Sequence, residues 1–244
     1  MIDAYLFDQI NWPCELSNSV LEKLRRIAIL KHGIDALEIT KRYQNIPGVY
    51  YIMKGSAGLC FSTENMSNMV GGVVGCGDWI GALAIYKDYQ LFAIAEEVAP
   101  VTMIHFPRSK VQQLAEQEPE VFKWLLHCAT KIHSVWMQAF LTSIHEKEQK
   151  TIYVLLELAA RQHASSENVM RIDVSQSQLS SITGISRPRL NEVLKNLEKV
   201  NGITTHRGRV IISDFDVLYQ RISPMNLMLR NPSDVNTQCC MNCK

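Results

Sequence analysis

The sequence predicts an α+β protein built from an N-terminal β-roll, a long helix and a C-terminal winged helix-turn-helix. Three observations carry that reading. Residues 36–106 alternate short apolar runs with glycine-rich turns. Residues 109–160 keep a helical pattern. Residues 174–212 hold two short helical segments joined by Thr183-Gly184-Ile185, followed by two strand-like runs.

In the first part, the runs 48–53, 58–62, 70–74 and 101–106 are bounded by Pro47-Gly48, Lys54-Gly55, Gly71-Gly72 and Gly75-Cys76-Gly77-Asp78. Many short strands with glycine corners fit a barrel or jelly roll. In the second part, Pro119 suits a helix first turn, where its missing N–H has no partner to lose. Val121, Leu125, Cys128, Ile132, Val135, Ala139 and Thr142 then recur at spacings of 4-3-4-3-4-3. Such a stripe suits a coiled-coil partner helix, and the first six of these residues are the candidate dimer seam. The alternative is that the stripe packs on the chain's own core. Leu126, Trp136, Met137 and Phe140 give the same helix apolar surface on other sides. His145-Glu146-Lys147-Glu148 interrupts the stripe and reads either as a hinge or as a solvated helix turn.

The third part carries the function. Residues 176–182 and 187–200 read as the two helices, with Ser175 and Ser186 placed as N-caps and Pro188 tolerated in a first turn. Residues 203–206 and 209–213 pair around Arg207-Gly208 as a wing. The second helix of such a unit enters the DNA major groove with its N-terminal residues foremost. Those residues are Arg187, Arg189, Asn191 and Glu192, whose side chains suit guanine, adenine and cytosine edges. Ser175, Gln176, Ser186 and Arg207 are placed to hold phosphates. The chain as a whole is nearly neutral, with 25 Lys+Arg against 24 Asp+Glu in 244 residues. Between residues 185 and 210, however, six basic residues face Glu192 and Glu198, a net +4.

Other classes recede. The apolar stretches 80–86 and 151–160 are short beside the roughly 20 residues of a membrane span. The first twenty residues contain Asp3, Asp8 and Glu15 and no basic residue, unlike a secretory signal. A cytoplasmic protein with reduced cysteines is expected. No nucleophile–base set or carboxylate pair stands out at a meaningful spacing, so an enzyme is not expected and no catalytic residue is assigned.

YYIMKGSAG (50–58), GCGDWIGALAIY (75–86), SQLSSITGISRPRLNEVLKNLEKVNGI (177–203) and VIISDFDVLYQRI (210–222) occur in this order. Together they resemble the Crp/Fnr family of bacterial transcription regulators, from about residue 43 to 222. The resemblance implies a cyclic-nucleotide-binding-like sensor roll over 1–118, a dimerisation helix and hinge over 119–145, and a DNA-binding domain over 146–222. A flexible, cysteine-containing tail over 223–244 follows. It also implies a homodimer on a two-fold symmetric double-stranded operator, with RNA polymerase as partner.

The departures are informative. Cyclic-nucleotide binders of this family place a Glu after the cassette glycine and an Arg further on. Here Ala82 follows Gly81, and no arginine lies between Arg42 and Arg108. The positions resembling the family's purine contacts are Val135 and Trp136. Control by cyclic AMP is therefore not expected. Trp79, Leu83, Ile85, Leu91, Phe92, Val135 and Trp136 remain as either a collapsed core or a pocket for an apolar effector. In the recognition helix, Pro188 stands where the family often has a base-reading Glu, and only Arg187 carries over.

Some members hold an iron–sulfur cluster. The tail cysteines Cys239, Cys240 and Cys243 could supply three thiolate ligands, act as reactive thiols, or be incidental. A redox-sensing regulator is thus one alternative, and a signalling or ligand-binding adaptor that does not touch DNA is another. His105, His127 and His133 read as core or surface residues without a ligand role.

Overall fold

A computed structural model describes residues 2–37, 46–61, 70–87, 93–161 and 170–222. Two capped helices open the chain: α1 (Ala4–Asp8), where Asp3 accepts from the Tyr5 N–H, and α2 (Asn18–Ile27), where Ser17 accepts from Val20. The strands β1 (Ile29–His32), β2 (Gly48–Phe61), β3 (Val70–Gly75) and β5 (Ala93–Pro107) form an antiparallel sheet in the order β1-β5-β2-β3. A short β4 (Trp79–Ile80) pairs with the first half of β2. The class and the β-rich first half agree with the sequence reading.

The β2–β5 register shifts between Ile52 and Ala57. Before the shift, Tyr50 and Ile52 share one apolar cluster; after it, Ala57 and Leu59 belong to that same cluster. The bulged stretch changes the strand's parity, since successive side chains otherwise alternate faces. It turns Gly58 and Cys60 outward, toward the C-terminal domain.

The N-terminal segment is part of the core. Phe7, Ile10 and Trp12 pack with Trp79, Phe106 and Trp124. Trp12 lies 5.4 Å from Trp79 and 6.0 Å from Trp124 between ring centroids. Trp79 Nε1 donates to the Asn11 carbonyl, and the Asn11 N–H donates to the Tyr51 hydroxyl.

After α3 (Arg108–Ala115), Pro119 leads into α4 (Glu120–Ser143). The periodic stripe of α4 faces inward. Val121, Leu125, Cys128, Ile132, Val135 and Ala139 are all buried in the single chain, against the N-terminal segment and the sheet. The dimer-seam reading of these six residues is thereby corrected. Their period marks a buried face, and the chain's own roll covers it. The exposed apolar face is a different one, formed by Phe122, Leu126, Phe140 and Ile144.

The break expected near His145 is present, since α4 ends at Ser143 and α5 (Lys147–Arg161) begins after three intervening residues. The C-terminal unit adds β6 (Met170–Ile172), α6 (Gln176–Thr183), α7 (Arg187–Lys199), β7 (Ile203–His206), β8 (Arg209–Ile212) and α8 (Phe215–Arg221). Its sheet runs β6-β8-β7. Residues 151–160 of α5 are all buried. They pack between this unit and the roll, because Cys60 and Val73 join the same apolar cluster as Ile152, Leu179 and Leu194.

Candidate nucleic-acid interface

Local rules build the helix-turn-helix. Ser175 opens α6 with a capping box: its hydroxyl accepts from the Gln178 N–H, and the Gln178 side chain accepts from the Ser175 N–H. Gly184 closes the helix in the left-handed region at φ 66°, a conformation that side chains with a Cβ resist. Thr183 bridges the turn by donating to the Leu179 carbonyl and accepting from the Ile185 N–H. Pro188 sits in the first turn of α7, and Ser186 occupies the N-cap position without a side-chain capping bond. Leu190, Val193, Leu194 and Leu197 bury one face of α7. The opposite face is left for a partner.

That face is basic. Arg187, Arg189, Lys195 and Lys199 on α7 and Arg207 and Arg209 on the wing are all exposed. Glu198 does not oppose them freely, because its carboxylate accepts from the Thr205 N–H and hydroxyl, each at 2.7 Å. Those bonds, the hydroxyl first, hold its pKa below the usual value. Glu192 is exposed and Asn191 half-buried, one turn from Arg187. The wing turn Arg207-Gly208 protrudes beside them, with Gly208 at φ 76°.

The comparisons with known proteins bear on this unit directly. Residues 149–221 match the Crp-like helix-turn-helix domain. The "cAMP-activated global transcriptional regulator CRP" of Escherichia coli O6:H1 is 24% identical over 169 residues, spanning 67% of this chain and 80% of that protein. The chain thus resembles Crp/Fnr regulators, and its C-terminal unit is a Crp-like helix-turn-helix domain. It is a DNA-binding transcription regulator of the Crp/Fnr type, as its sequence motifs imply. The fold agrees. A Crp/Fnr-family regulator from Eubacterium rectale superposes with TM-score 0.63 at 12% identity, over 87% of this chain and 98% of its own. The c-di-GMP responsive global regulator CLP of Xanthomonas campestris gives 0.60 at 15% identity, over 81% and 100%.

Among the phosphate candidates of this Crp/Fnr regulator, Gln176, Ser186 and Arg207 are exposed. Ser175 is different, since its N–H and hydroxyl are both engaged with Gln178 inside the capping box. Sequence reasoning missed Ser177, whose hydroxyl accepts from Arg187 Nη2 at 2.5 Å across the turn. The Ser-x-x-Gln spacing of residues 175–178 was the available signal for the cap. Nothing local signalled Ser177.

The described members of the expected effector set fall in different places. Trp79 is buried in the aromatic cluster with Trp12 and Trp124, whereas Val135 and Trp136 belong to the cluster on the other side of the sheet. Leu83 is 53% exposed, on a short 3₁₀ turn at residues 82–84. A pocket lined jointly by Trp79, Leu83, Val135 and Trp136 is therefore corrected, because the two tryptophans already have different packing partners. Leu91 and Phe92 lie outside the described residues, as do Cys239, Cys240 and Cys243. Among the described residues, no group of three or more His, Cys, Asp or Glu side chains gathers as a metal site. His105 stacks on Tyr50 at 4.5 Å, and His127 and His133 are exposed on α4.

Proposed function

We propose that this regulator binds a two-fold symmetric operator as a homodimer, reads bases with Arg187, Arg189, Asn191 and Glu192, and is not controlled by cyclic AMP. The exposed basic end of α7 beside the wing carries the DNA part of the reading. The Arg187 guanidinium has donors left for guanine after its bond to Ser177, and that bond restricts its orientation. Gln176, Ser186 and Arg207 border the reading surface and would meet phosphates, which fix register without specifying sequence.

The homodimer uses the outer face of α4. Leu126, His133 and Phe140 repeat every seven residues there, flanked by Phe122, Met137 and Ile144. Leu126 is 68% exposed and Ile144 70%, so the face lacks cover in one chain. A second copy supplies the same face in return, as two-fold symmetry requires.

The cyclic-AMP-activated relatives give no warrant for that effector here. A buried cyclic phosphate needs charge-assisted donors. Ala82 is buried where a polar contact would be required, and Trp136 lies over Gly72, its ring 2.8 Å from where a Cβ would project. The function is binding rather than catalysis. RNA polymerase is the partner consistent with the family, and a cytoplasmic site accords with the lack of a membrane-crossing helix among the described residues.

Selection from a random DNA pool by the purified full-length protein, without oxygen or added effector, tests the reading. A palindromic site whose binding weakens steeply with salt and ignores cyclic AMP supports it. A folded protein that enriches no sequence, or binds with no salt dependence, refutes it.

A further inference from the structure

The DNA-binding unit touches the roll over a specific joint. Helix α6 lies on β2, β3 and β5. Gly58 provides the floor, since a Cβ there would fall 2.3 Å from Ile182 Cγ1. The Cys60 thiol donates toward the Ser181 and Ile182 carbonyls at 3.3 and 3.5 Å. Gln178, already part of the α6 cap, donates from Nε2 to the Glu97 carbonyl at 2.8 Å.

An ion cluster closes the other end of the joint. The Arg161 side chain at the end of α5 is fully buried and pairs with Glu157 of its own helix and with Asp78 of the roll. Both Nε and Nη2 of Arg161 lie 3.3 Å from Asp78 Oδ2. Asp78 is itself fixed, because that same oxygen accepts from the Gly75 N–H at 2.8 Å and its carbonyl accepts from Ile52. The Tyr153 hydroxyl donates to Glu157 at 3.1 Å. Neutralising Asp78 would leave Arg161 paired with Glu157 of its own helix and would remove the ion pair that ties α5 to the roll.

The joint leaves the reading surface open. Arg187, Arg189 and Arg207 remain exposed while α6 is seated. Docking therefore orients this surface and does not cover it. The covalent link between α4 and α5 is only residues 144–146. Contacts at the joint, in addition to that link, decide where α7 points relative to α4.

We infer that Asp78, Arg161 and Gly58 are positioning residues that set the half-site spacing this regulator accepts. The inference rests on the homodimer reading: two rolls joined along α4 hold two copies of α7 at one separation and one angle. Half-sites one turn apart lie about 34–36 Å from centre to centre. An inserted base pair shifts and rotates one half-site, and a stiff joint cannot follow it.

The test uses the full-length protein and duplexes carrying its selected half-sites with spacers lengthened or shortened one base pair at a time. Wild type should favour one spacing, with a penalty for the neighbouring ones like that of a mismatched base pair, ~5–150-fold. Asp78→Asn and Gly58→Ala attack the joint from opposite ends. Each should reduce that penalty to less than ~3-fold, a small fraction of a base-pair mismatch, while affinity for a single half-site is unchanged. Unaltered spacing preference in both folded, dimeric variants overturns the inference. Should Asp78→Asn fail to fold, Gly58→Ala decides alone. A readout without substitution accompanies them: Cys60 alkylation, followed by peptide mass, should slow when wild type is saturated with optimally spaced DNA. Faster alkylation would mean that the undocked form binds operator, and would overturn the inference. A wild type that selects isolated half-sites refutes the homodimer reading and removes this one with it.

Discussion

Two adjacent leucines on α4 separate folding from the proposed dimerisation. Leu125 is 7% exposed and Leu126 68% exposed. Leu125→Ala opens a cavity between α4 and the N-terminal core, and such truncations cost about 2–5 kcal/mol of fold stability. Leu126→Ala removes nothing from that core. Full burial of a leucine is worth about 1.5–3 kcal/mol. Covering the two-thirds of Leu126 that a single chain exposes therefore contributes about 1–2 kcal/mol per protomer. A two-fold interface uses the residue twice, giving about 2–4 kcal/mol, or ~30–1000-fold in the dimer Kd. Sedimentation velocity over a dilution series measures that Kd, and thermal melting of the same samples below it measures the monomer fold. Leu126→Ala should raise Kd with monomer melting unchanged, and Leu125→Ala should lower melting. The face assignment is refuted if Leu126→Ala leaves Kd within ~2-fold, well short of the range expected from burial, while a folded Leu125→Ala protein loses its dimer.

Four further expectations follow from the DNA-binding unit and the joint. Arg187→Ala should lose about 1–3 kcal/mol on the selected operator and relax preference at one base pair, whereas Arg207→Ala should weaken all sequences alike and reduce the salt slope by about 1; competition binding at several salt concentrations distinguishes them, and equal loss on specific and random DNA for Arg187→Ala would sink its base-reading role. Ser175→Ala deletes the hydroxyl half of the capping box and should cost about 1 kcal/mol, read as a lower melting temperature by calorimetry. Glu198 has its pKa depressed below the ordinary 4.5 by the bonds from Thr205, so its contribution is present above that value and fades as pH falls through the folded-state value; Glu198→Gln should be less stable than wild type at pH 7 in denaturant titrations, with the gap narrowing below pH 4.5. Burial pushes the Cys60 thiol up to about 12, so iodoacetamide at neutral pH should label Cys60 far more slowly in the native protein than after denaturation.

The helix-turn-helix was legible because its determinants are local. Ser175, Gln178, Gly184 and Pro188 act within a few residues of themselves, and the structure places α6, α7, β7 and β8 within a residue or two of the positions the sequence implies. The helix α4 was legible in period but not in direction. Val121 and Leu125 lie on one apolar face, Phe122 and Leu126 on another, and periodicity does not say which face the roll will cover. The N-terminal segment decided it, by packing Trp12 against both Trp79 and Trp124. Leu83 looked like a pocket residue for a related reason: an apolar side chain in a glycine-bounded loop carries no mark of facing solvent. The joint was not legible at all. Asp78 and Arg161 are 83 positions apart, Cys60 and Ile182 are 122 apart, and no spacing rule connects them.

Helix α5 carries a constraint of its own. Ten successive residues, Thr151–Ala160, lack a solvent face, whereas a surface helix normally keeps a polar stripe. Any swing of the DNA-binding unit away from the roll bares Cys60 and Val73 and the apolar side chains of that unit packed on them. Such a freshly bared apolar band is a self-association hazard in a crowded cell. A conformer with the two halves parted must therefore be brief, or must re-cover that band with another surface, and this limits how the regulator can be switched more tightly than the three-residue link ahead of α5 would.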